Sequence, residues 1–534
     1  MSRMLRASAI MAAGTMVSRA TGFIRTVVLT TAIGTSLLGD AYNTAYAIPY
    51  SILDLLLLGV LSSVVVPMIV RAQQSDPDGG RAYEQRLLTL STVALIVVAA
   101  AAVLAAPLLI DLYTVWDHRS DEYKVAVRLA QFILPQLAFF GIGAVAGAIL
   151  NTRDRFAAPM WAPVVNNLVV IGVLVAYLVI VGDKGVGNVT NGELALLGLG
   201  TTAGIVAQAT VLVLALKRAG FRFVARFDVR NARLGEMAKA GIWTIGYVIV
   251  TQLGLVLTLN LASSAAAAFP SHGISAYTVA FQLFQLPYGI IGVSVITAML
   301  PRMSRAVADG RFDEVRSEFG SSVRLVCSIM VPVSLLLMVL GPAITVPLFG
   351  HGSNTVANAV YIGNVLQVYG LALVPFSLFQ LLLRVFYSFG DTRTPVFVGA
   401  GATALNAVLM LLFHALLPPA YSVMGLAFAY AVAYALGTVV AWVLASRRVG
   451  GLGGWQVGMA MTRMYLASLP TAVLALAAVW SMQEIFGRPD FLNSVITLAV
   501  GGGLGMLLYL AVAHRMRIPE VSSIVGMVAG RVRR

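Results

Sequence analysis

The sequence has little charge, almost no cysteine and few histidines, and each shortage excludes a class of protein. Only 11% of the 534 residues are charged, against about 25% in ordinary soluble domains. The single cysteine, Cys327, leaves no internal disulfide framework. The five histidines lie too far apart for a helical metal site, and no HExxH, GxSxG or Walker motif occurs. The sequence therefore predicts neither an enzyme nor a metal protein, with no cofactor and no direct use of ATP.

What the sequence has instead is hydrophobic residues, which make up 59% of the chain and come in runs of twenty or more. A helix needs about 20 apolar residues to cross a bilayer, and the alternating pattern of barrel strands is absent. We predict an all-α integral membrane protein with about fourteen transmembrane helices and short loops. The predicted spans are 8–33, 41–70, 86–112, 124–150, 159–181, 192–217, 236–268, 274–301, 321–349, 355–388, 395–417, 423–446, 461–486 and 491–514.

The lysines and arginines fall mainly on one side of these spans. With a cytoplasmic N-terminus, 29 of the 36 lie on the cytoplasmic side, four on the other side, and Arg19, Arg25 and Arg128 within spans. This bias predicts a multi-pass membrane protein with both termini in the cytoplasm. It also accounts for the net charge of +14, so the charge does not indicate a nucleic-acid partner. The basic loop 217–239 is predicted to contact anionic membrane lipids. The arginines in the first apolar run favour a retained helix over a signal peptide.

The chain also contains an internal repeat. AYNTAYAIPYSILDLLLLGVLSSVVVP at 41–67 resembles AYTVAFQLFQLPYGIIGVSVITAMLP at 276–301, about 235 residues later. Six spans per half is an even number, so the two repeats are parallel. We predict an N-terminal six-helix lobe (1–235), a C-terminal six-helix lobe (236–450), and two extra transmembrane helices with a basic cytoplasmic tail (451–534). Transporters of this kind bind substrate between the repeats, and the alternative is a duplicated scaffold without transport.

Charged residues inside the first two spans predict a binding site. Arg19 and Arg25 form a cationic stripe on the first span, and each arginine costs at least ~2.5–3.5 kcal/mol at the membrane centre. They are expected to face a watery cavity or a counter-ion, and their planar fork suits phosphate oxygens; the alternative is snorkelling to the interface. Asp54 is expected to face the same cavity and to pair with an arginine, or to form a local ion pair. Asp40 is either a site residue or an ordinary N-cap.

Further polar residues allow two interpretations each. Gln282 and Gln285, one turn apart in the eighth span, could hydrogen-bond a sugar or peptide, or could join helices. Asn167 is expected to join helices rather than to bind a ligand. Asp391 lies where a cytoplasmic turn begins a helix, and capping explains it without a functional role.

Six segments in chain order resemble the MurJ (MviN) lipid II flippases of the multidrug/oligosaccharidyl-lipid/polysaccharide exporter superfamily. They are VSRATGFIRT, GDAYNTAYAIPY, VVPMIVRA, ILNTRDRFAAPMWAPVVNN, LPYGIIGVSVITAMLPRMSRA and FYSFGDTRTP. The resemblance implies outward flipping of lipid II, the undecaprenyl-pyrophosphate-linked peptidoglycan precursor, by a monomeric transporter needed for cell-wall biogenesis and cell shape. Lipid II and membrane lipids are the implied partners, with cell-wall synthesis or division proteins as further candidates.

The resemblance also implies roles for single residues. Arg19 and Arg25 would contact the pyrophosphate, and Asp40 matches the family acid at the start of the second helix. The last two helices would take the lipid tail. The chain departs from the family pattern at Thr26, where an acid is common, and at Asp54, where basic residues are common.

Gln282 is a third departure, because it stands where relatives have an arginine. The cavity is therefore expected to be less basic than in those relatives. The family's cation site matches this chain only loosely, at Glu236 and Asp391. Transport is expected to be coupled to a monovalent cation or to the membrane potential. The alternative functions are export of another polyprenyl-linked glycan or of a drug, or a non-transporting cell-wall scaffold.

Overall fold

The computed structural model describes residues 3–55, 66–228 and 234–522, with only the backbone described at 3–10, 12, 66–67 and 234–244. These residues form helices and no β-strand, which confirms the all-α class. The first ten helices are α1 Arg3–Ile33, α2 Leu37–Leu53, α3 Val66–Ser75, α4 Arg81–Leu104, α5 Ala106–Tyr113, α6 Asp121–Ile133, α7 Gln136–Thr152, α8 Ala157–Ile180, α9 Asn191–Arg218 and α10 Leu234–Ala268. The others are α11 Ile274–Pro287, α12 Val293–Ala308, α13 Phe312–Phe349, α14 Val356–Ser388, α15 Arg393–Leu416, α16 Ser422–Val449, α17 Gly454–Phe486, α18 Phe491–Thr497 and α19 Gly505–Arg515.

Twelve helical segments within the described ranges are long and apolar enough to cross a membrane. They match the predicted spans three to fourteen, which confirms a membrane protein with many spanning helices. The first predicted span corresponds to α1, which has 31 residues but is not among the twelve. The second includes residues outside the described ranges. The predicted number of fourteen is therefore approximate.

Capping side chains define several helix starts. The Oγ of Ser120 accepts a hydrogen bond from the backbone N–H of Tyr123 at α6. Thr190 and Glu193 form a reciprocal capping box at α9. The Oγ1 of Thr355 accepts a hydrogen bond from the backbone N–H of Asn358 at α14. Each side chain satisfies a backbone N–H that a helix end leaves without an intrahelical partner.

Contacts divide the chain into two compact units, Met1–Pro270 and Ser271–Arg534. In the first unit, α8 packs against α1 and α9, and α7 packs against α4 and α9. In the second, α14 packs against α13 and α16, while α17 joins α13 and α19. The helix α10 belongs to the first unit by its contacts, and the predicted division at 235 and 450, drawn from the repeat, remains a prediction.

The helices α13 and α14 approach closely at a pair of glycines. A Cβ added at Gly363 would lie 2.4 Å from the Cα of Pro342, and one at Gly341 would lie 2.2 Å from the carbonyl oxygen of Gly363. Both neighbours are backbone atoms, so no side chain can turn aside to make room. Small residues allow this close packing of membrane helices.

We expect Gly363→Ala to destabilise the second unit by about 1–3 kcal/mol, because the added methyl group must push the two backbones apart. Gly401→Ala in α15 is the control, since nothing lies within 4 Å of a Cβ added there. Thermal unfolding of the purified protein in detergent should show a lower Tm for Gly363→Ala alone. Equal Tm values for the two variants would show that the helices separate without cost.

Candidate functional site

Arg25 is a half-buried cation in α1 that contacts an aromatic residue of α2. Its Nη1 donates a hydrogen bond to the Oη of Tyr46 at 2.9 Å, and its guanidinium carbon lies 5.2 Å from the ring centroid of Tyr46. The ring face attracts the cation. Arg25 forms no salt bridge with any residue that the structure describes. It therefore keeps its positive charge and most of its five N–H donors for an anion.

Tyr46 belongs to a row of three aromatic residues on one face of α2, Tyr42, Tyr46 and Tyr50, which we call the tyrosine ladder. The rings of Tyr42 and Tyr46 stack with centroids 5.9 Å apart, and those of Tyr46 and Tyr50 are 4.8 Å apart. The hydroxyls of Tyr46 and Tyr50 lie 2.7 Å apart. The hydroxyl of Tyr42 lies 2.8 Å from the Oγ1 of Thr201 in α9. These contacts fix the residue on which Arg25 rests.

Asp54 lies one turn beyond the tyrosine ladder. Its Oδ2 accepts a hydrogen bond from the Nε2 of Gln252 in α10 at 3.2 Å. Sequence analysis predicts an arginine as its partner, and this expectation is not met within the described residues. The reason is distance, because Arg25 contacts Tyr46, which lies about 12 Å before Asp54 along the helix.

Arg19 and Asp40 differ sharply in exposure. Arg19 is exposed on α1, and its side chain has no hydrogen-bond or ion-pair partner among the described residues. Asp40 is fully buried in the first turn of α2. The alternative that Asp40 is the N-cap is wrong, because α2 begins at Leu37 with Ser36 as the N-cap. An acid in the first turn still interacts favourably with the helix dipole.

Asn167 holds α1 against α8. Its Nδ2 donates hydrogen bonds to the carbonyl oxygen of Ser18 at 3.1 Å and to the Oγ1 of Thr21 at 3.0 Å. The expected role in joining helices is confirmed. Because the contact lies one to two turns before Arg25, it also positions that arginine.

The candidate residues of the second unit lie in α11 and before α15. In α11, Gln282 is exposed and Gln285 is half-buried. Asp391 accepts hydrogen bonds from the backbone N–H groups of Arg393 and Thr394, both at 3.0 Å, and from the Oγ1 of Thr394 at 2.7 Å. Partial burial raises the pKa of Asp391, but these hydrogen bonds outweigh burial and hold the pKa below its usual value. Its geometry is that of a turn and cap residue.

The assignment of Glu236 and Asp391 to a cation site remains a prediction. The side chain of Glu236 lies outside the described residues. The two oxygens of Asp391 already accept three hydrogen bonds at the start of α15.

The internal repeat is visible in the geometry of two ring pairs. Tyr42 and Tyr46 stack at 5.9 Å with 10° between their planes, and Tyr277 and Phe281, 235 residues later, stack at 6.0 Å with 11°. Phe281 has no hydroxyl, and Arg25 of α1 has Asn260 as its counterpart at the same offset. The stacked pair therefore occurs in both repeats, while the cation and its acceptor occur only in the first.

Tyr46 and Gln252 are contact residues that sequence analysis does not single out. The signal for Tyr46 is present, because tyrosines recur every four residues in AYNTAYAIPY and so share one helical face. Gln252 has no such signal, since it lies 198 residues from Asp54 in the chain.

A second charged cluster lies where α3, α4 and α7 meet the loop after α9. Glu84 is only 1% exposed, forms a salt bridge with Arg153, and accepts a hydrogen bond from the Nε2 of Gln73 at 2.8 Å. Nearby, Arg86 pairs with Asp228. We call Gln73, Glu84 and Arg153 the Glu84 cluster. Its charges are satisfied within the protein, so it is structural.

Comparison with known proteins identifies the family. Residues 29–501 match the family model described as lipid II flippase MurJ. The chain belongs to the MurJ family. A probable lipid II flippase MurJ of Rhizobium meliloti (strain 1021) is 28% identical over 510 residues, covering 93% of this chain and 91% of the relative. Another from Rhizobium tropici is 26% identical, covering 97% and 94%.

Solved structures show the same fold. A structure titled lipid II flippase MurJ, inward closed conformation, has a TM-score of 0.77 at 18% identity and covers 95% of this chain and 98% of that one. An inward-facing multidrug resistance MATE transporter of the MOP superfamily has a TM-score of 0.58 at 12% identity, covering 82% and 93%. The resemblance of the six sequence segments to the MurJ family is thus confirmed.

Proposed function

We propose that the protein flips lipid II from the inner to the outer leaflet of the bacterial plasma membrane by alternating access, for peptidoglycan synthesis. Membership of the MurJ family over most of the chain supports this function, as do relatives described as lipid II flippases. The observation that carries it is Arg25, a cation inside the first predicted span that rests on Tyr46 and has no carboxylate partner among the described residues.

Arg25 binds the pyrophosphate of lipid II in this proposal. Its fork can donate two parallel hydrogen bonds to phosphate oxygens, while Tyr46 holds the guanidinium in place. Arg19 is exposed and adds a second positive charge on the same helix. Gln282 and Gln285 contribute hydrogen bonds to the sugar or peptide part of the headgroup. The lipid tail stays in the membrane beside the last two helices while the headgroup crosses.

The orientation is part of the same proposal. Both termini lie in the cytoplasm in this proposal, which the distribution of 29 basic residues against four supports. The protein acts as a monomer, and a monovalent cation gradient or the membrane potential supplies the energy. MurJ is a transporter family, and no enzymatic reaction is indicated.

Drug export is the second candidate, because MATE transporters share the fold. Such an exporter of cationic drugs needs intramembrane carboxylates that attract the drug. The cationic stripe of Arg19 and Arg25 repels that substrate and attracts an anion. A different polyprenyl-pyrophosphate glycan fits the arginines as well as lipid II does, and the family decides between them.

The test is depletion with complementation. Cells depleted of the protein should accumulate lipid II on the inner leaflet, and restoring the protein should return lipid II to the outer leaflet. Labelling of externally accessible lipid II measures the translocated fraction. If translocation continues unchanged after depletion, the proposal fails. If another polyprenyl-linked glycan accumulates instead, the substrate is different but the transport class stands.

A further inference from the structure

Arg128 lies within the fourth predicted span, and the proposed function does not use it. It lies in α6, inside the candidate membrane span Asp121–Thr152. Seven residues separate it from the start of the helix, which is about 10 Å along the helix axis. A charge at this depth is costly unless it meets water or an anion.

Arg128 lines a cavity of about 560 Å³ in the first unit. This volume falls within the range of about 300–1,000 Å³ that is typical of ligand sites. Polar and charged side chains come from one face of α6, and a mostly apolar wall comes from α5, the loop before α9 and the start of α9. The lining residues used below are Pro107, Asp121, Lys124, Arg128, Gln131 and Leu194.

The charged groups that line the cavity are Lys124, Arg128 and Asp121. The Nζ of Lys124 lies 3.7 Å from the Oδ1 of Asp121, and both side chains are well exposed, so this pair is weak. Arg128 donates one hydrogen bond, to the Oε1 of Gln131 at 3.2 Å. It has no acidic partner among the described residues. Most of its N–H donors are therefore available, in a cavity with net positive charge.

We propose that this cavity binds the phosphate group of an anionic phospholipid. The fork of Arg128 matches phosphate oxygens, and Lys124, one turn nearer the helix start, adds a second cation on the same face. The apolar wall, with Pro107 and Leu194, suits the glycerol and the first carbons of the acyl chains. On the proposed orientation the cavity opens at the outer leaflet, away from the Glu84 cluster. A free phosphate ion has the same chemistry but gains nothing from the apolar wall.

The test is isothermal titration calorimetry of the purified full-length protein in detergent. The protein is titrated with phosphatidylglycerol and, in a separate experiment, with inorganic phosphate. Arg128→Gln should weaken phosphatidylglycerol binding about tenfold or more, because a charge-assisted contact is lost. Arg128→Lys keeps the charge without the fork and should lose less. Lys124→Gln, at an exposed position, should also weaken binding and leave the fold intact. Arg119→Gln is the matched control, since Arg119 is exposed just before α6 and outside the cavity lining.

The outcomes separate the two sources of phosphate. Lipid binding that falls in Arg128→Gln but not in Arg119→Gln supports a lipid phosphate. Binding of inorganic phosphate that depends on Arg128, with no lipid binding, supports the phosphate site and assigns a free ion to it. Equal binding by the wild type, Arg128→Gln and Lys124→Gln overturns the proposal. An equal loss in Arg119→Gln also overturns it, because that result indicates only general attraction to a positive surface.

Discussion

Cells whose only copy of the protein carries Arg25→Ala are expected to accumulate lipid II on the inner leaflet and to stop growing. Removing a hydrogen-bonded charge contact from a desolvated site costs about 2–5 kcal/mol, which is roughly 30-fold or more in affinity. Arg25 has no acidic partner among the described residues, so its loss leaves no buried carboxylate behind. The defect should therefore appear in transport and not in protein level. Externally accessible lipid II and growth are the measurements.

Three further variants make this test specific. Tyr46→Phe removes the hydroxyl that accepts from Arg25 but keeps the ring beneath the guanidinium, so a loss of only a few-fold is expected. Arg25→Lys keeps the charge without the fork and should be defective. Arg119→Ala removes the same charge from an exposed loop and should be silent. Normal growth with Arg25→Ala at normal expression would refute the pyrophosphate role.

Arg153→Ala is expected to cause a large loss of stability, about 3–5 kcal/mol, because it leaves the carboxylate of Glu84 buried without its charge partner. Glu84 is 1% exposed, and its other hydrogen bond comes from the neutral Gln73. Thermal unfolding of the purified protein in detergent should show this as a strongly lowered Tm. Protein level in cells should fall with it.

A nearby arginine provides the matched control. Arg155 lies two residues from Arg153 and is exposed, and its side chain has no hydrogen-bond or ion-pair partner among the described residues. Arg155→Ala should stay within about 0.5 kcal/mol of the wild type, as surface substitutions do. The double variant Glu84→Gln with Arg153→Gln should lose less than Arg153→Ala, since it buries no lone charge. If Arg153→Ala unfolds at the wild-type temperature, the Glu84 cluster does not stabilise the fold.

The fold class and the order of the spans could be predicted from the sequence because hydrophobic length is a local property. Each run of apolar residues specifies its own helix, and twelve predicted spans match helical segments of the described chain. The placement of α10 could not be predicted this way. It packs against α2 and α5, and such contacts depend on residues far away in the chain.

The same limit applies to the candidate site. The high cost of a charge in a membrane singles out Arg25, because that cost depends only on residue type and depth. Its acceptor, Tyr46, and the partner of Asp54, Gln252, depend on which helices meet. Charge alone predicts an arginine as the partner of Asp54, but the neutral side-chain amide of Gln252 donates the hydrogen bond instead. Helix contacts, and not charge balance, decide the pairing.

The two stacked ring pairs have a consequence for how cargo is bound. At the repeat offset, Arg19 and Arg25 correspond to Gly254 and Asn260, which carry no charge. A cation at the same position in each repeat would offer an anionic headgroup two equivalent contacts. Here the duplication conserves the aromatic packing and confines the cation to the first repeat. An anionic headgroup is therefore expected to bind this cation on the helices of the first repeat, and to find no matching cation at the corresponding positions of the second.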